Sequence, residues 1–317
     1  MSTLRRFLPT LTLMAGLTGC GPEPPPQGVD DASPPELGAA GNLQGRVYER
    51  AVVFTTSVAD STLIVPWLFS ARTKPGGVAR TARAWLARGG EWEPFLQESW
   101  ETPPTRVPWR LHPHGLLRLV VGEGEALEAL LFEEGRRRLE VEIGGARAEW
   151  NGSQGETFTV ADGAAVLSEQ RLPGLVLDFS RAHQGESPLP GDWMFLISGD
   201  SVQVVLSGKD EPSAAGGTLE GWVRLQDSSE IPWRDVTVSW TETRAFEEAR
   251  REVPVRWSLA TGDGEMSADL EVKTAHIEAG EGEGPLLPVD ALLEVAGDLR
   301  IGDASYAVRG LVRHGQR

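Results

Sequence analysis

The chain has 317 residues, of which 40% are hydrophobic, and its formal net charge at pH 7 is -16. An acidic surface repels nucleic acid and anionic lipid headgroups, so both are excluded as partners. The single cysteine excludes an internal disulfide, and the stability of the protein must therefore come from apolar cores.

The first twenty residues have the features of an export signal. Arg5 and Arg6 precede the apolar run 7–17, which is too short to cross a bilayer as a permanent helix. The run ends in Leu17-Thr18-Gly19-Cys20, which resembles the lipobox of bacterial lipoproteins. The resemblance implies that residues 1–19 are a cleaved signal peptide and that Cys20 carries a diacylglyceryl group, which holds the protein on a membrane. Since Gly21 rather than Asp follows the cysteine, we expect a cell-envelope protein on the outer membrane of a Gram-negative bacterium.

Residues 20–43 contain repeated prolines with Gly, Asp and Ala. Such a segment cannot bury enough apolar surface to order itself. We predict an extended tether that separates the lipid on Cys20 from the folded part of the chain.

From residue 44 the sequence changes to short apolar segments separated by glycine-rich turns. The spacing of roughly 8–12 residues is typical of a β-sandwich or β-barrel. Leu139, Val141 and Ile143 alternate with Glu140 and Glu142, which is the period of a sheet with one solvated face. The first half therefore contains predicted strands at 47–54, 63–71, 79–87, 116–121, 126–132, 139–143 and 146–150.

The second half continues this pattern to residue 312 with one exception. Residues 242–252 are rich in helix formers, with an apolar stripe at Ala245, Phe246 and Ala249 and a proline at position 254 that ends the segment. We predict one short helix there, packed against the second half.

The boundary between the halves is predicted in the polar stretch 151–156, with the loop 184–191 as the alternative. The predicted organisation is a signal peptide at 1–19, a lipidated tether at 20–43, a first β-domain at 44–155 and a second at 156–317. The fold class is all-β, with two sequential antiparallel barrels or sandwiches.

The last part of the chain carries a family resemblance. Trp257-Ser258-Leu259 is followed by Leu293-Glu294-Val295-Ala296-Gly297 and then by the segment 302–310, with Tyr306 and a closing Gly310. This arrangement resembles the tandem lipocalin-like superfamily that includes carotenoid 1,2-hydratase (hydroxyneurosporene synthase) and AttH-type proteins. The resemblance implies two lipocalin-like barrels. The chain lacks the Trp-Glu-Gly and Tyr-x-Glu-Leu features of the hydratases, so no catalytic residue is transferred to it.

Four histidines are candidates for a polar site. His112 and His114 are two positions apart and could face one metal ion from a strand, but Pro113 and the lack of a further ligand favour a loop. His183 and His276 are candidate general bases beside Asp178 and Glu278, or else ordinary hydrogen-bonded groups. We predict no metal site, no cofactor and no assigned catalytic residue.

The tryptophans are the candidates for an apolar binding site. In a barrel, inward-facing indoles either line a ligand cavity or fill the core. The candidate lining residues are Trp109, Trp193, Trp222, Trp240 and Trp257.

Three functions remain open from the sequence. The first is a lipid-anchored protein that binds a hydrophobic small molecule in a lipocalin-like cavity. The second is a hydratase or isomerase acting on an isoprenoid or lipid-like substrate. The third is a structural or assembly lipoprotein that contacts envelope proteins.

Overall fold

A computed structural model describes residues 45–58, 61–184, 192–208 and 217–317. Over these ranges the chain forms two antiparallel β-sheets and one short 3-10 helix, Glu123–Glu125. No helix in the described ranges is long and apolar enough to cross a membrane. The signal peptide, Cys20 and the tether lie outside the described residues, so these assignments stay predictions.

The first sheet has nine strands in the order β4-β3-β2-β1-β9-β8-β7-β6-β5. Its edge strands, β4 and β5, are joined along the chain by residues 103–116. The sheet curls, because Phe95 of β4 and Phe132 of β6, from opposite ends of this order, have ring centroids 5.2 Å apart. The strands are β1 Arg46–Val58, β2 Ser61–Lys74, β3 Gly77–Arg88, β4 Glu91–Thr102, β5 Leu117–Val121, β6 Leu127–Glu134, β7 Arg137–Asn151, β8 Thr157–Leu167 and β9 Gln170–Gln184.

The second sheet is a closed barrel of eight strands. Its first and last strands pair, with Leu196 opposite Gly310. A Cβ atom at Gly310 would lie 1.9 Å from the carbonyl oxygen of Phe195, so only glycine lets these strands approach. The strands are β10 Trp193–Ser198, β11 Val202–Gly208, β12 Gly217–Leu225, β13 Glu230–Phe246, β14 Arg251–Thr261, β15 Met266–Ala279, β16 Val289–Ile301 and β17 Ala304–Gln316. The expected all-β fold with two barrel-like sheets is confirmed.

Three apolar cores follow from the alternation of side chains along the strands. The inner face of the first sheet, defined here by Val52, Trp67 and Phe132, forms one core. The interior of the closed barrel forms a second, to which all eight strands contribute. The outer face of the first sheet, with Ala51 and Phe179, packs against the outside of the barrel and forms the third. The two sheets thus share an apolar core at their interface.

The predicted helix at 242–252 is wrong. Strand β13 continues to Phe246, β14 begins at Arg251, and Arg244 pairs with Val253 across the hairpin. Arg250 takes the positive φ of 56° that the turn requires. Ladder hydrogen bonds and the burial of Ala249 and Val253 in the barrel core outweigh the local helix propensity.

The sheets divide the chain later than the predicted boundary at 155/156. Strands β8 and β9 pair with β7 and β1, so residues 157–184 belong to the first sheet. Residues 185–191 separate the two sheets in sequence, which is where the alternative boundary loop lies. The polar stretch at 151–156 is a hairpin turn within the first sheet, closed by the hydrogen bond from the Gly152 amide to the Glu156 carbonyl.

Candidate functional site

A cluster of polar and aromatic residues lies where β3 and β4 of the first sheet face β15 and β16 of the barrel. We call it the seam site. The threonine hydroxyl of Thr274 donates to the carbonyl of Gly90 at 2.8 Å and ties β15 to the turn between β3 and β4. The seam site is made of Arg83, Trp85, Trp92, His276, Glu278 and Asp290.

His276 and Glu278 form its central pair. They are two positions apart on β15, so their side chains lie on one face of the strand. Nε2 of His276 is 2.8 Å from Oε1 of Glu278, and the other oxygen of Glu278 is 3.1 Å from Arg83. The structure therefore brings together the histidine and the acid that the sequence suggested as a base and its partner.

Asp290 anchors the charged side of the seam site. Its carboxylate is 2.6 Å from Arg83 and 3.1 Å from Arg313. Burial by itself raises the pKa of Asp290, but Arg313 and Arg83 outweigh it and hold the pKa well below its ordinary value. Conversely, the pKa of Arg313 is raised because Asp290 and Glu49 outweigh the effect of its burial. These ion pairs fix Arg83, which in turn orients Glu278.

Two indoles form the walls around His276. The ring centroids of Trp85 and Trp92 are 5.3 and 6.5 Å from the imidazole. The indole Nε1 atoms of both are buried and have no hydrogen-bond partner in the part of the chain that the structure describes. The His276 side chain is 22% exposed, so solvent reaches the pair. The seam site therefore holds two buried N–H donors whose hydrogen bonds are unmade within the described residues.

The hydrogen bond within the pair is compatible with one tautomer that leaves a free base. In the tautomer with the proton on Nε2, His276 donates a hydrogen bond to Glu278 and Nδ1 is the basic nitrogen. A neutral histidine oriented by a carboxylate is a general base for a substrate proton. The seam site thus contains the residue types of a hydrogen-bonding ligand site and of an acid–base pair.

The predicted tryptophans fall in three places. Trp193 and Trp222 lie outside the barrel, in the interface core, 5.7 Å from Phe179 and 4.8 Å from Phe158 respectively. Trp240 and Trp257 face the barrel interior and are opposite each other on β13 and β14. Trp109, in the segment 103–116, packs 5.7 Å from Tyr48. The five do not line one cavity.

The other predicted histidines are dispersed. His114 stacks on Trp100 at 4.7 Å, and His112 has its pKa lowered by burial and then by Arg80 and Arg110. His183 and Asp178 are five positions apart on β9 and therefore lie on opposite faces. The carboxylate of Asp178 is bound by Arg50, whose Nε donates to it at 2.8 Å.

Sequence reasoning missed a buried histidine in the barrel. His314, fully buried, lies opposite Ala291 of the barrel core, and its Nδ1 is 2.8 Å from Asp192. Its Nε2 is 2.9 Å from the side-chain nitrogen of Gln316, which also donates to the carbonyl of Glu252 at 2.8 Å. The partners His314 and Asp192 are 122 positions apart, so no local motif indicates them. Because both ring nitrogens are occupied, this network supports the barrel.

A cavity of about 580 Å³ lies elsewhere between the sheets, beside the β10–β11 hairpin. Its charged groups pair with one another. Arg147 contacts Asp162 and Asp200 at 2.5 and 2.8 Å, and Arg171 contacts Glu142 at 2.6 Å. Each charged group of the wall thus has a partner within the wall itself.

The sequence matches no protein-family model and no curated protein. Solved structures show the fold. An AttH-like protein from Nitrosomonas europaea has a TM-score of 0.58 and 11% identity, covering 93% of this chain and 98% of that one. Kievitone hydratase from Nectria haematococca has a TM-score of 0.51 and 14% identity, covering 85% and 88%. CghA has a TM-score of 0.50 and 12% identity over the same shares. At these identities the likeness is one of fold.

Proposed function

We propose that this chain is a lipid-anchored envelope protein that binds a small, largely apolar molecule at the seam site. The main support for this proposal is that the indole N–H groups of Trp85 and Trp92 are buried beside the His276–Glu278 pair. Neither N–H group has a hydrogen-bond partner within the described residues. The indole nitrogens of Trp240 and Trp257 in the barrel are also buried and unpartnered within the described residues, and Trp240 lies 5.3 Å from His314. Both ring nitrogens of His314 are occupied, however, and side chains from all eight strands pack the barrel interior, so the proposed site is the seam.

The chemistry of the seam site defines the class of ligand. Indole rings offer flat apolar surface, and their N–H groups donate to a carbonyl, ether or hydroxyl oxygen. We therefore expect a ring-containing or isoprenoid-like molecule with at least one oxygen acceptor. The AttH-like and hydratase-like fold supports a ligand-binding protein of this kind.

The binding experiment uses the full-length chain in a non-ionic detergent. It is incubated with a lipid extract of the native organism, repurified and examined by native mass spectrometry. We expect a stoichiometric small molecule that is lost from Trp92→Phe and His276→Gln. The control is Trp100→Phe, because Trp100 stacks on His114 away from the seam site. A protein that stays empty, or variants that retain the ligand fully, would exclude binding at the seam.

The anchoring part of the proposal rests on Cys20 and is tested separately. Metabolic labelling with a radioactive fatty acid should mark the wild-type chain and not Cys20→Ala. The variant should also leave the membrane fraction, because the diacylglyceryl group is the proposed source of stable attachment. A labelled variant, or an unlabelled wild type, would contradict the lipid anchor.

A second function, as a hydratase or isomerase, is favoured by the same His276–Glu278 pair. In the tautomer with the proton on Nε2, Nδ1 of His276 is the base. If the co-purified molecule is turned over, His276→Gln should lower kcat by about 10²–10⁴-fold. Glu278→Gln should lower kcat less. Binding without any turnover would leave the protein as a carrier.

A further inference from the structure

A second polar cluster lies at one end of the inner face of the first sheet. Tyr48 is opposite Ala71 on β2, Ala71 is opposite Arg80 on β3, and Arg80 is opposite Trp100 on β4. Paired residues of an antiparallel ladder point to the same face, so these side chains form one row. The small Ala71 separates Tyr48 from Arg80 in this row.

Arg80 is a buried cation without a counter-charge. Its side chain lies on the same face as Ala82 and Ala84 of the inner core, and the residue is only 4% exposed. Its Nε donates to the Thr102 hydroxyl at 3.0 Å and its Nη1 to the Arg110 carbonyl at 2.9 Å. Its Nη2 has no partner among the described residues, and no carboxylate there forms an ion pair with it.

Two acids of the same sheet are engaged elsewhere. Asp178 is held by Arg50 at 2.8 Å, and Glu98 accepts from the Leu116 amide at 3.4 Å. A buried guanidinium with an unused N–H and no anion nearby is unfavourable unless something else compensates the charge. The fold retains this unfavourable arrangement at a single end of the inner face.

Two further buried polar atoms lie at this end of the sheet. The hydroxyl of Tyr48 and Nε2 of His112 make no hydrogen bond of normal geometry within the described ranges, and the Arg46 side chain lies beside the Tyr48 hydroxyl. Burial raises the pKa of Tyr48, although Arg46 opposes it, so the phenol is protonated at neutral pH and can donate. Burial, followed by Arg80 and Arg110, lowers the pKa of His112, which favours the neutral imidazole at this end.

We propose that this end of the first sheet binds an oxyanion, a carboxylate or a phosphate, on Arg80 with Tyr48 as a second donor. A guanidinium and a phenol hydroxyl together match two oxygens of such a group. His112 and Trp109, from the segment 103–116, lie at this end of the sheet, and Trp109 packs on Tyr48. The strand pairing described for this segment is the isolated bridge between His114 and Leu117. The proposal does not depend on the seam site. The anion is either a free ion or the head of an amphipathic molecule.

Thermal unfolding of the full-length chain in detergent tests the proposal. Inorganic phosphate or acetate should raise the Tm of the wild type in a saturable way, because a ligand that binds only the native state stabilises it by mass action. Sodium chloride at matched ionic strength should not. In Arg80→Met the response should disappear, and in Arg136→Met, an exposed control, it should remain. An equal response in Arg80→Met and wild type, or none in either, would overturn the proposal.

Arg80→Met also separates a ligand site from a structural arginine. Without added anion its Tm should equal or exceed that of wild type, because an uncompensated buried charge is removed. A large loss of Tm in every buffer would show that the bonds to Thr102 and Arg110 are the role of Arg80. Tyr48→Phe keeps the ring and should weaken anion binding by about tenfold. If the affinity of Tyr48→Phe is unchanged, the assigned donor is wrong.

The same thermal-unfolding assay distinguishes a free anion from the charged head of an amphipathic molecule. Hexanoate is compared with acetate, and hexanol serves as the neutral control. Much tighter binding of hexanoate than of acetate, with no effect of hexanol, identifies the head of an amphipathic molecule. Equal affinities for hexanoate and acetate identify a free anion.

Discussion

In the closed barrel, buried His314 and Asp192 bind each other, whereas at the end of the first sheet Arg80, Tyr48 and His112 are not shown to bind one another. His314 is held by Asp192 and Gln316, and Gln316 is held in turn by the Glu252 carbonyl. Arg80, Tyr48 and His112 leave polar atoms unpartnered within the described part of the chain. Both sets lie at the end of an apolar interior, so burial alone does not distinguish them.

This difference distinguishes buried polar groups that stabilise the fold from buried polar groups that are available to bind a ligand. A fully satisfied buried network stabilises one conformation and has no capacity left for a ligand. An unsatisfied one lowers stability, and a ligand restores what is missing. We therefore expect the barrel to be the more stable half and the two proposed sites to lie at the seam and on the first sheet.

Tryptophan truncations should give the largest contrast between the halves. Trp257 is fully buried in the barrel interior, so Trp257→Ala should cost about 3–5 kcal/mol of unfolding free energy. Trp109 is half-buried at the open end, and Trp109→Ala should cost about half as much or less. Denaturant unfolding measures both. Equal losses would contradict the assignment of the barrel as the stable half.

Removing the acid of the barrel network should have the next largest effect. Asp192 accepts from His314 and from the Gly315 amide, so Asp192→Ala leaves buried donors unsatisfied and should cost about 2–3 kcal/mol. The contrast is with Arg80→Met, which is expected to be neutral or stabilising. The comparison between the two interiors fails if both variants are destabilised alike in denaturant titrations.

Crowding the closing strands should have a moderate effect. A methyl group at Gly310 meets the Phe195 carbonyl, and Gly310→Ala should destabilise the protein by about 1–3 kcal/mol. The matched control is Gly262→Ala, where a Cβ atom would meet nothing within 4 Å. The loss of near-ultraviolet circular dichroism on heating measures the difference. Gly310→Ala should unfold at a lower temperature than Gly262→Ala, and equal unfolding temperatures would contradict the prediction.

The smallest effect is a pH dependence at the seam. The pKa of Asp290 is lower in the folded chain than in the unfolded one, so its ion pairs contribute stability above the unfolded pKa. This contribution is lost as the pH falls through the folded pKa. Between about pH 5 and pH 2 the Tm of wild type should fall more steeply than that of Asp290→Asn. Asp269→Asn, at an exposed position, should behave as wild type.

Period-two alternation and glycine turns were enough to predict the class of fold. They predict which residues share a face, and this also placed His276 and Glu278 side by side on β15. These patterns do not show whether the helix propensity of a segment is stronger than its tendency to pair as a strand, so the sequence predicts a helix at 242–252 where the structure has a hairpin. They also do not identify which strands pair, so the predicted boundary at 155/156 lies one hairpin before the end of the first sheet.

The sites depend mostly on long-range contacts. From the sequence, Arg80 has the features of a solvated charge in an alanine-rich strand. It nevertheless shares the period-two positions of Val78, Ala82 and Ala84, which predicts that its side chain faces the core. His314 has no signal in the sequence, since its acid precedes the first strand of the barrel. Trp193 and Trp222 were expected to line a cavity, but they cover the outside of the barrel because a second sheet packs there.

In each half, the first strand is hydrogen-bonded to the last. β1 pairs with β9, and β10 pairs with β17. During synthesis the second half therefore cannot complete its ring until the final residues emerge, and the closing contacts carry a large loop-closure entropy. We expect slow folding of this half, with β16 exposed to other chains until β17 arrives. The same topology places the two ends of each half next to each other, which is the arrangement that tolerates circular permutation.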